Sequence, residues 1–164
     1  MKTLKNTLCT ALLALLATGA AHAQTVSVTS PWARATVPQQ KATGMFMQLK
    51  SSQDMTLVSA RSDVATHTEI HEMVMEGDVM KMREVKQVAL PAGQAVDFKP
   101  GGLHVMFLDL KQPMQEGTHV PVTLTFQDAQ GKEETTVVDV AVKPLTAAAE
   151  PAARAHPTTG HGHH

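Results

Sequence analysis

Cysteine is almost absent from this sequence of 164 residues, which contains a single one, Cys9. It lies in an apolar stretch near the amino terminus that has the features of a secretory signal peptide. Cleavage after Ala23 would leave a chain that begins at Gln24 and has no cysteine. Such a chain cannot form disulfides, zinc fingers or blue copper sites, and it cannot use a thiol in catalysis.

A surplus of charge of either sign is also missing. The chain has 14 Lys and Arg residues against 15 Asp and Glu residues, so its formal net charge is -1. Without a basic surplus there is no broad electrostatic attraction for nucleic acid or for an anionic membrane. Aromatic residues are only 3% of the chain, but 43% hydrophobic residues are enough for the core of one domain.

Residues 1–23 are predicted to be a secretory signal peptide. Lys2 and Lys5 form a basic start, an apolar run covers residues 8–17, and Ala-His-Ala at residues 21–23 resembles a cleavage site. The apolar run is shorter than the roughly 20 residues that a membrane span needs. We therefore expect a soluble exported protein, with cleavage two residues earlier as the alternative.

Composition divides the rest of the chain in two. Residues 24–145 carry regular hydrophobic patterning and are predicted to form one domain. Residues 146–164 are rich in Ala, Pro and Gly and have no apolar period, so we expect a disordered tail. The tail contains four histidines: His156, His161, His163 and His164.

Alternation of apolar and polar residues dominates the predicted domain. Apolar side chains recur at every second position over residues 120–126 and again over residues 138–142. This period of two is typical of half-buried strands, and the turn-like residues 128–132 between them predict an antiparallel hairpin. Similar runs occur at residues 26–30, 45–49, 55–60, 66–75, 79–85, 95–98 and 103–110. The frequent turns predict an all-β fold, either a β-sandwich or a small barrel.

Histidine and methionine are the residue types in excess, with 9 and 10 copies. His71 lies on a run that turns near residues 76–78 and returns past Met82. A two-residue turn at residues 76–77 would place His71 opposite Met82, whereas a turn shifted by one residue would make them diagonal neighbours. Further along, His104 and Met106 are two apart on a predicted strand, so their side chains point the same way.

These two imidazoles and two thioethers form a soft, uncharged ligand set. Thioether sulfur favours Cu(I) over hard ions such as Mg²⁺ or Ca²⁺, whereas zinc sites favour Cys, His and carboxylate. The sequence therefore predicts a Cu(I) site, and its uncharged ligands suit a carrier that must release the ion. The predicted ligands are His71, Met82, His104 and Met106.

Residues near the predicted ligands suggest other roles. His67 precedes His71 by four residues, but on a strand the two would lie roughly 13–14 Å apart, so we expect a surface residue. His71-Glu72 begins like a zinc-protease motif, yet the second histidine would fall at Met75, and no other catalytic set has supporting context. We therefore predict no enzymatic activity.

Three nearby methionines are candidates for a transient copper landing site: Met73, Met75 and Met80. Four others are expected to pack in the core: Met45, Met47, Met55 and Met114.

The spacing of the predicted ligands is itself a motif. Ten residues separate His71 from Met82, and 21 residues separate Met82 from the triplet His104-Val105-Met106. With this spacing the sequence resembles the PCuAC family of periplasmic copper chaperones. In the motif of that family, a His is followed by ten residues, a Met, 21 residues and then His-x-Met. Shorter phrases also resemble the family: Ser30-Pro31-Trp32-Ala33-Arg34-Ala35, Pro100-Gly101-Gly102-Leu103 and Glu116-Gly117.

The resemblance implies a fold, a cargo and a destination. The fold would be a cupredoxin-like Greek-key β-sandwich, and the cargo would be Cu(I) carried towards the CuA centre of cytochrome c oxidase. The implied partners are subunit II of the oxidase, a thiol-containing copper assembly protein, or both. We expect a monomer. The alternative function is a periplasmic copper buffer or resistance protein, which would sequester copper without specific delivery.

The tail histidines are predicted to form a second copper site under either function. Imidazole is a borderline ligand that suits Cu(II), in contrast to the thioethers of the domain. The competing interpretation is a solvating tail that binds metal only adventitiously.

Overall fold

The computed structural model describes residues 24–147 of the chain. The predicted signal peptide and the four tail histidines lie outside these residues. Over residues 24–147 the structure contains ten β-strands and no helix, and hence no helix that could cross a membrane. The strands are β1 (Val26–Arg34), β2 (Ala42–Ser51), β3 (Met55–Arg61), β4 (Ala65–Glu76), β5 (Val79–Glu84), β6 (Val88–Leu90), β7 (Ala95–Phe98), β8 (His104–Leu110), β9 (His119–Asp128) and β10 (Glu133–Lys143).

The strands form one hydrogen-bonded sheet that curls around its core. Their order is β5-β4-β8-β2-β1-β10-β9-β3-β6, and β7 pairs with β2. Strands β3 and β4 contact each other although five strands separate them in that order, so the sheet folds back on itself. Phe107 and Phe126 are fully buried inside, and each such side chain contributes about 1.5–3 kcal/mol by leaving water. The all-β prediction is confirmed.

The alternation in the sequence corresponds to real strands, and one strand of the structure, β6, has no predicted counterpart. Strands β9 and β10 pair antiparallel, as predicted, and the side chain of Asp128 closes their turn by accepting hydrogen bonds from the backbone N–H groups of Gln130 at 2.9 Å and Lys132 at 2.8 Å. Strand β6 is too short to show a period. The parallel pairing of β1 with β10 was not predicted either.

Two expectations about individual residues are confirmed by burial. The side chain of His67 is largely exposed on β4. Because methionine is unbranched and flexible, it fills irregular gaps in cores. The four methionines expected to pack are all buried: Met45, Met47, Met55 and Met114.

Candidate metal centre

The two predicted histidine ligands face each other across neighbouring strands. Strand β4 lies between β5 and β8, and His71 on β4 is the direct register partner of His104 on β8. The ring centroids are 5.8 Å apart, in an edge-to-face arrangement, and both residues are buried. Cross-strand pairing therefore brings together two imidazoles that are distant in the sequence.

The hairpin between β4 and β5 places Met82 next to this pair of histidines. Its two-residue turn is Gly77-Asp78, with Gly77 in the left-handed region at φ 64°, where glycine carries no steric cost. Of the two predicted registers, the structure has the shifted one: Met82 is diagonal to His71 and directly opposite Met73. The diagonal position suffices, because the sulfur of Met82 lies 3.3 Å from Nε2 of His104.

Met106, the fourth predicted ligand, lies on the same strand as His104. It is half-buried and pairs with Glu69 on β4 and with Gly44 on β2. Since it is two residues from His104, its side chain leaves the same face of the sheet. The structure thus brings all four predicted ligands to one face, at the edge formed by β5, β4 and β8.

The hydrogen bonding of His104 determines which ring nitrogen is available. Nδ1 lies 2.9 Å from the carbonyl oxygen of Gly102, which can only accept, so Nδ1 carries the proton and donates. Nε2 therefore presents its lone pair to the sulfur of Met82, which is also a lone-pair donor. Two donors bound tetrahedrally to one ion with bonds of zinc-like length would be roughly 3.5 Å apart, close to the observed separation.

The surroundings of His104 also favour its uncharged form. Burial lowers the pKa of His104 below its ordinary value, and the neighbouring His71 lowers it further, while the hydrogen bond to Gly102 opposes both effects. Only a neutral imidazole can bind a metal ion, because the proton occupies the same lone pair. The site therefore favours the form of His104 that is competent to bind.

His71 has one occupied and one vacant nitrogen. Nε2 lies 2.7 Å from a carboxylate oxygen of Glu69, so this nitrogen carries the proton and donates. Nδ1 is buried and has no hydrogen-bond partner among the described residues. A buried lone pair without a partner is costly in an ordinary core, whereas it is what a metal ligand requires.

Three features of the site were not predicted from the sequence. Glu69 could have been found, because it is two residues before His71 on the same strand and so shares its face. The carbonyl of Gly102 has no signature in the sequence. Phe46 reaches the site only because β2 pairs with β8, and its ring centroid lies 6.3 Å from that of His104.

Phe46 belongs to an aromatic wall beside the site. Its ring is 4.6 Å from that of Trp32, and both side chains are buried on the outer face of β1 and β2, apart from the main core. Gly44 leaves room for the ring, since a Cβ there would lie 3.0 Å from Cζ of Phe46. The wall helps to remove His104 from water, which is the main cause of its lowered pKa.

Comparison with known proteins assigns the chain to a family. A family model described as LpqE-like matches residues 26–142. A protein named as a lipoprotein in Leifsonia xyli subsp. xyli (strain CTCB07) is 32% identical over 130 residues, which make up 79% of this chain and 76% of that protein. A protein of Rickettsia prowazekii (strain Madrid E) is 33% identical over 109 residues, 63% of this chain and 60% of that protein.

Solved structures of PCuAC domains share the fold. The copper-bound PCuAC domain from PmoF2 superposes with a TM-score of 0.59 at 21% identity and covers 74% of this chain and 94% of that domain. The Cu(I) form of DR1885 from Deinococcus radiodurans has a TM-score of 0.58 at 30% identity and covers 76% of this chain and 83% of that protein. The cupredoxin-like fold implied by the sequence is thereby confirmed. With the family model and the fold in agreement, the chain belongs to the LpqE-like (PCuAC) family.

Proposed function

We propose that this protein is an exported copper chaperone that binds one Cu(I) through the four predicted ligands and delivers it in the periplasm for assembly of the CuA centre of cytochrome c oxidase. The observation that carries the proposal is the 3.3 Å contact between the sulfur of Met82 and Nε2 of His104. Both atoms present lone pairs, so they gain nothing from each other and gain much from a soft cation between them. The vacant Nδ1 of His71 supports the same interpretation.

Relatives of known structure support copper as the cargo. The PCuAC domain from PmoF2 is described as copper-bound, and DR1885 is described in a Cu(I) form. The donor set of this chain agrees with the Cu(I) form, because thioethers select monovalent copper. We propose the same metal and oxidation state for this protein.

The position of the site suits release rather than permanent storage. Met82 is 51% exposed, and its strand β5 is an edge strand of the sheet. An incoming cysteine thiolate could therefore displace the thioether first, and the charged thiolate is the stronger ligand for Cu(I). We propose subunit II of the oxidase, a thiol-containing assembly protein, or both as acceptors, and we propose no catalytic turnover.

A transfer experiment distinguishes delivery from buffering. The Cu(I)-loaded protein is mixed anaerobically with the reduced soluble domain of oxidase subunit II or with a thiol-containing assembly protein, and the copper in each protein is measured after separation. We expect most of the copper on the acceptor, and in cells an oxidase defect on gene deletion that added copper cures. Copper that stays on the donor with every acceptor, together with normal oxidase in the deletion strain, would favour sequestration instead.

The histidine tail is proposed as a separate Cu(II) site. Deleting residues 155–164 is expected to abolish most Cu(II) binding and to leave Cu(I) affinity nearly intact. The tail supplies only imidazoles, which suit Cu(II), whereas the thioethers that favour Cu(I) lie in the domain. Two titrations of the truncated and full-length proteins, one with each oxidation state, measure this. Equal Cu(II) stoichiometry in both proteins would rule out the tail site.

A further inference from the structure

The β4–β5 hairpin carries four methionines on the face that also bears His71. Met73 lies directly opposite Met82 in the register, and the next pair towards the turn is Met75 with Met80. Side chains directly opposite on antiparallel strands have Cβ atoms about 4.5–5.5 Å apart. These four residues, Met73, Met75, Met80 and Met82, form what we call the methionine ladder.

The other face of the same hairpin has a different character. There Lys81 contacts Glu76 at 2.6 Å, and Arg83 contacts Glu72 at 3.5 Å. Charged side chains protect an edge strand from pairing with other molecules and keep the hairpin in solution. The hairpin thus separates a charged face from a face of thioethers.

Core packing does not account for the thioether face. Met75 is 60% exposed and Met80 is 45% exposed, and every residue of β5 is exposed. The buried methionines of this protein, such as Met45, fill the interior, whereas the ladder projects beyond it. The ladder therefore presents soft sulfur ligands to the solvent beside the main metal centre.

We propose that Met73, Met75 and Met80 form a second Cu(I) site, which binds more weakly than the main centre and loads it. Thioethers are selective for Cu(I), and the three rotatable bonds of methionine let sulfurs on adjacent positions converge on one ion. With neither imidazole nor thiolate among its ligands, this site releases copper readily. This site goes beyond the proposed delivery function, because its binding does not depend on which acceptor receives the copper.

The register supplies a path from the ladder to the main centre. Successive rungs are two residues apart along a strand, or about 6.6–7 Å. The inner rung pairs Met73 with Met82, and Met82 contacts His104. Copper can therefore move by exchanging one thioether for another and then for an imidazole, with Cu(I) keeping its charge throughout.

The test compares Cu(I) stoichiometry in three full-length proteins. Anaerobic titration against a chromophoric Cu(I) chelator is expected to give the wild type a tight first equivalent and a weaker second one. The double variant Met75→Leu/Met80→Leu keeps the apolar volume but removes two sulfurs, so it should lose the second equivalent and keep the first. Val79→Leu is the matched control, since it alters an exposed apolar residue on the opposite face of the hairpin and should keep both.

A second equivalent that persists in the double variant places that copper elsewhere and overturns the ladder site. A wild type that binds a single equivalent also overturns it, while leaving the main centre intact, whereas a wild type that binds no Cu(I) would defeat the proposed function as well. X-ray absorption of the second equivalent should show sulfur neighbours only, and nitrogen neighbours would contradict the proposal.

Discussion

Removing either thioether of the main centre, in Met82→Leu or Met106→Leu, is expected to weaken Cu(I) binding by more than tenfold, or about 1.4 kcal/mol. Leucine keeps the volume and the apolar character of methionine, so the fold should be preserved while one soft ligand is lost. The effect is expected to be specific to Cu(I), because hard divalent ions gain little from thioethers. Competition with a Cu(I) chelator measures the affinity of each variant.

Met82→Leu is the more specific test of the two variants. Its side chain is half exposed, so any loss of affinity cannot be attributed to damage in the core. Met114→Leu is the matched control: it removes a thioether from a buried position, and Cu(I) affinity should not change. Unchanged affinity in both Met82→Leu and Met106→Leu would refute the assignment of the thioether ligands.

Acidification is expected to release copper from the main centre. Protons and Cu(I) compete for the same imidazole lone pairs, so each ligating histidine costs about tenfold in affinity per pH unit once the pH is below its pKa. Burial lowers the pKa of His104 below the ordinary value of 6.5, so this residue remains neutral and competent at neutral pH. We expect constant affinity between about pH 8 and 7 and a steep fall towards pH 5. Titration at several pH values, corrected for the chelator, measures the slope.

Two histidine variants identify the source of that slope. His104→Asn should lower the affinity and flatten its dependence on pH, because one competing proton is removed. His67→Asn changes an exposed histidine on the same strand as His71 and should leave both the affinity and the slope unchanged. An affinity that stays flat from pH 8 to pH 5 in the wild type would argue against both His71 and His104 as ligands.

The strands were predictable because most of them are half-buried, and half-burial produces a period of two in the sequence. The register of the β4–β5 hairpin was not fixed by that pattern. Moving the turn by one residue changes every pairing by two positions, which leaves each side chain on its own face. Turn geometry decided it, with Gly77 in the left-handed conformation at the first turn position. The parallel pairing of β1 with β10 joins distant parts of the chain and has no local signal.

The four candidate ligands could be named from the sequence because their residue types and spacing are informative. The groups that orient them were harder to find. The carbonyl of Gly102 is a backbone atom, and Phe46 comes from a strand whose pairing partner is distant in sequence. Of the surrounding groups, Glu69 alone had a usable signal, since it lies on the same strand face as His71. The sequence thus indicates the donors, and the fold determines which lone pair each donor presents.

X-ray absorption at the copper edge, on the full-length protein loaded anaerobically with one equivalent of Cu(I), tests the central claim most directly. A centre formed by His71, Met82, His104 and Met106 predicts a monovalent edge with both sulfur and nitrogen neighbours, two of each. The sulfur contribution should drop by half in Met82→Leu. A first coordination sphere of nitrogen and oxygen alone, unchanged in that variant, would contradict the proposed centre.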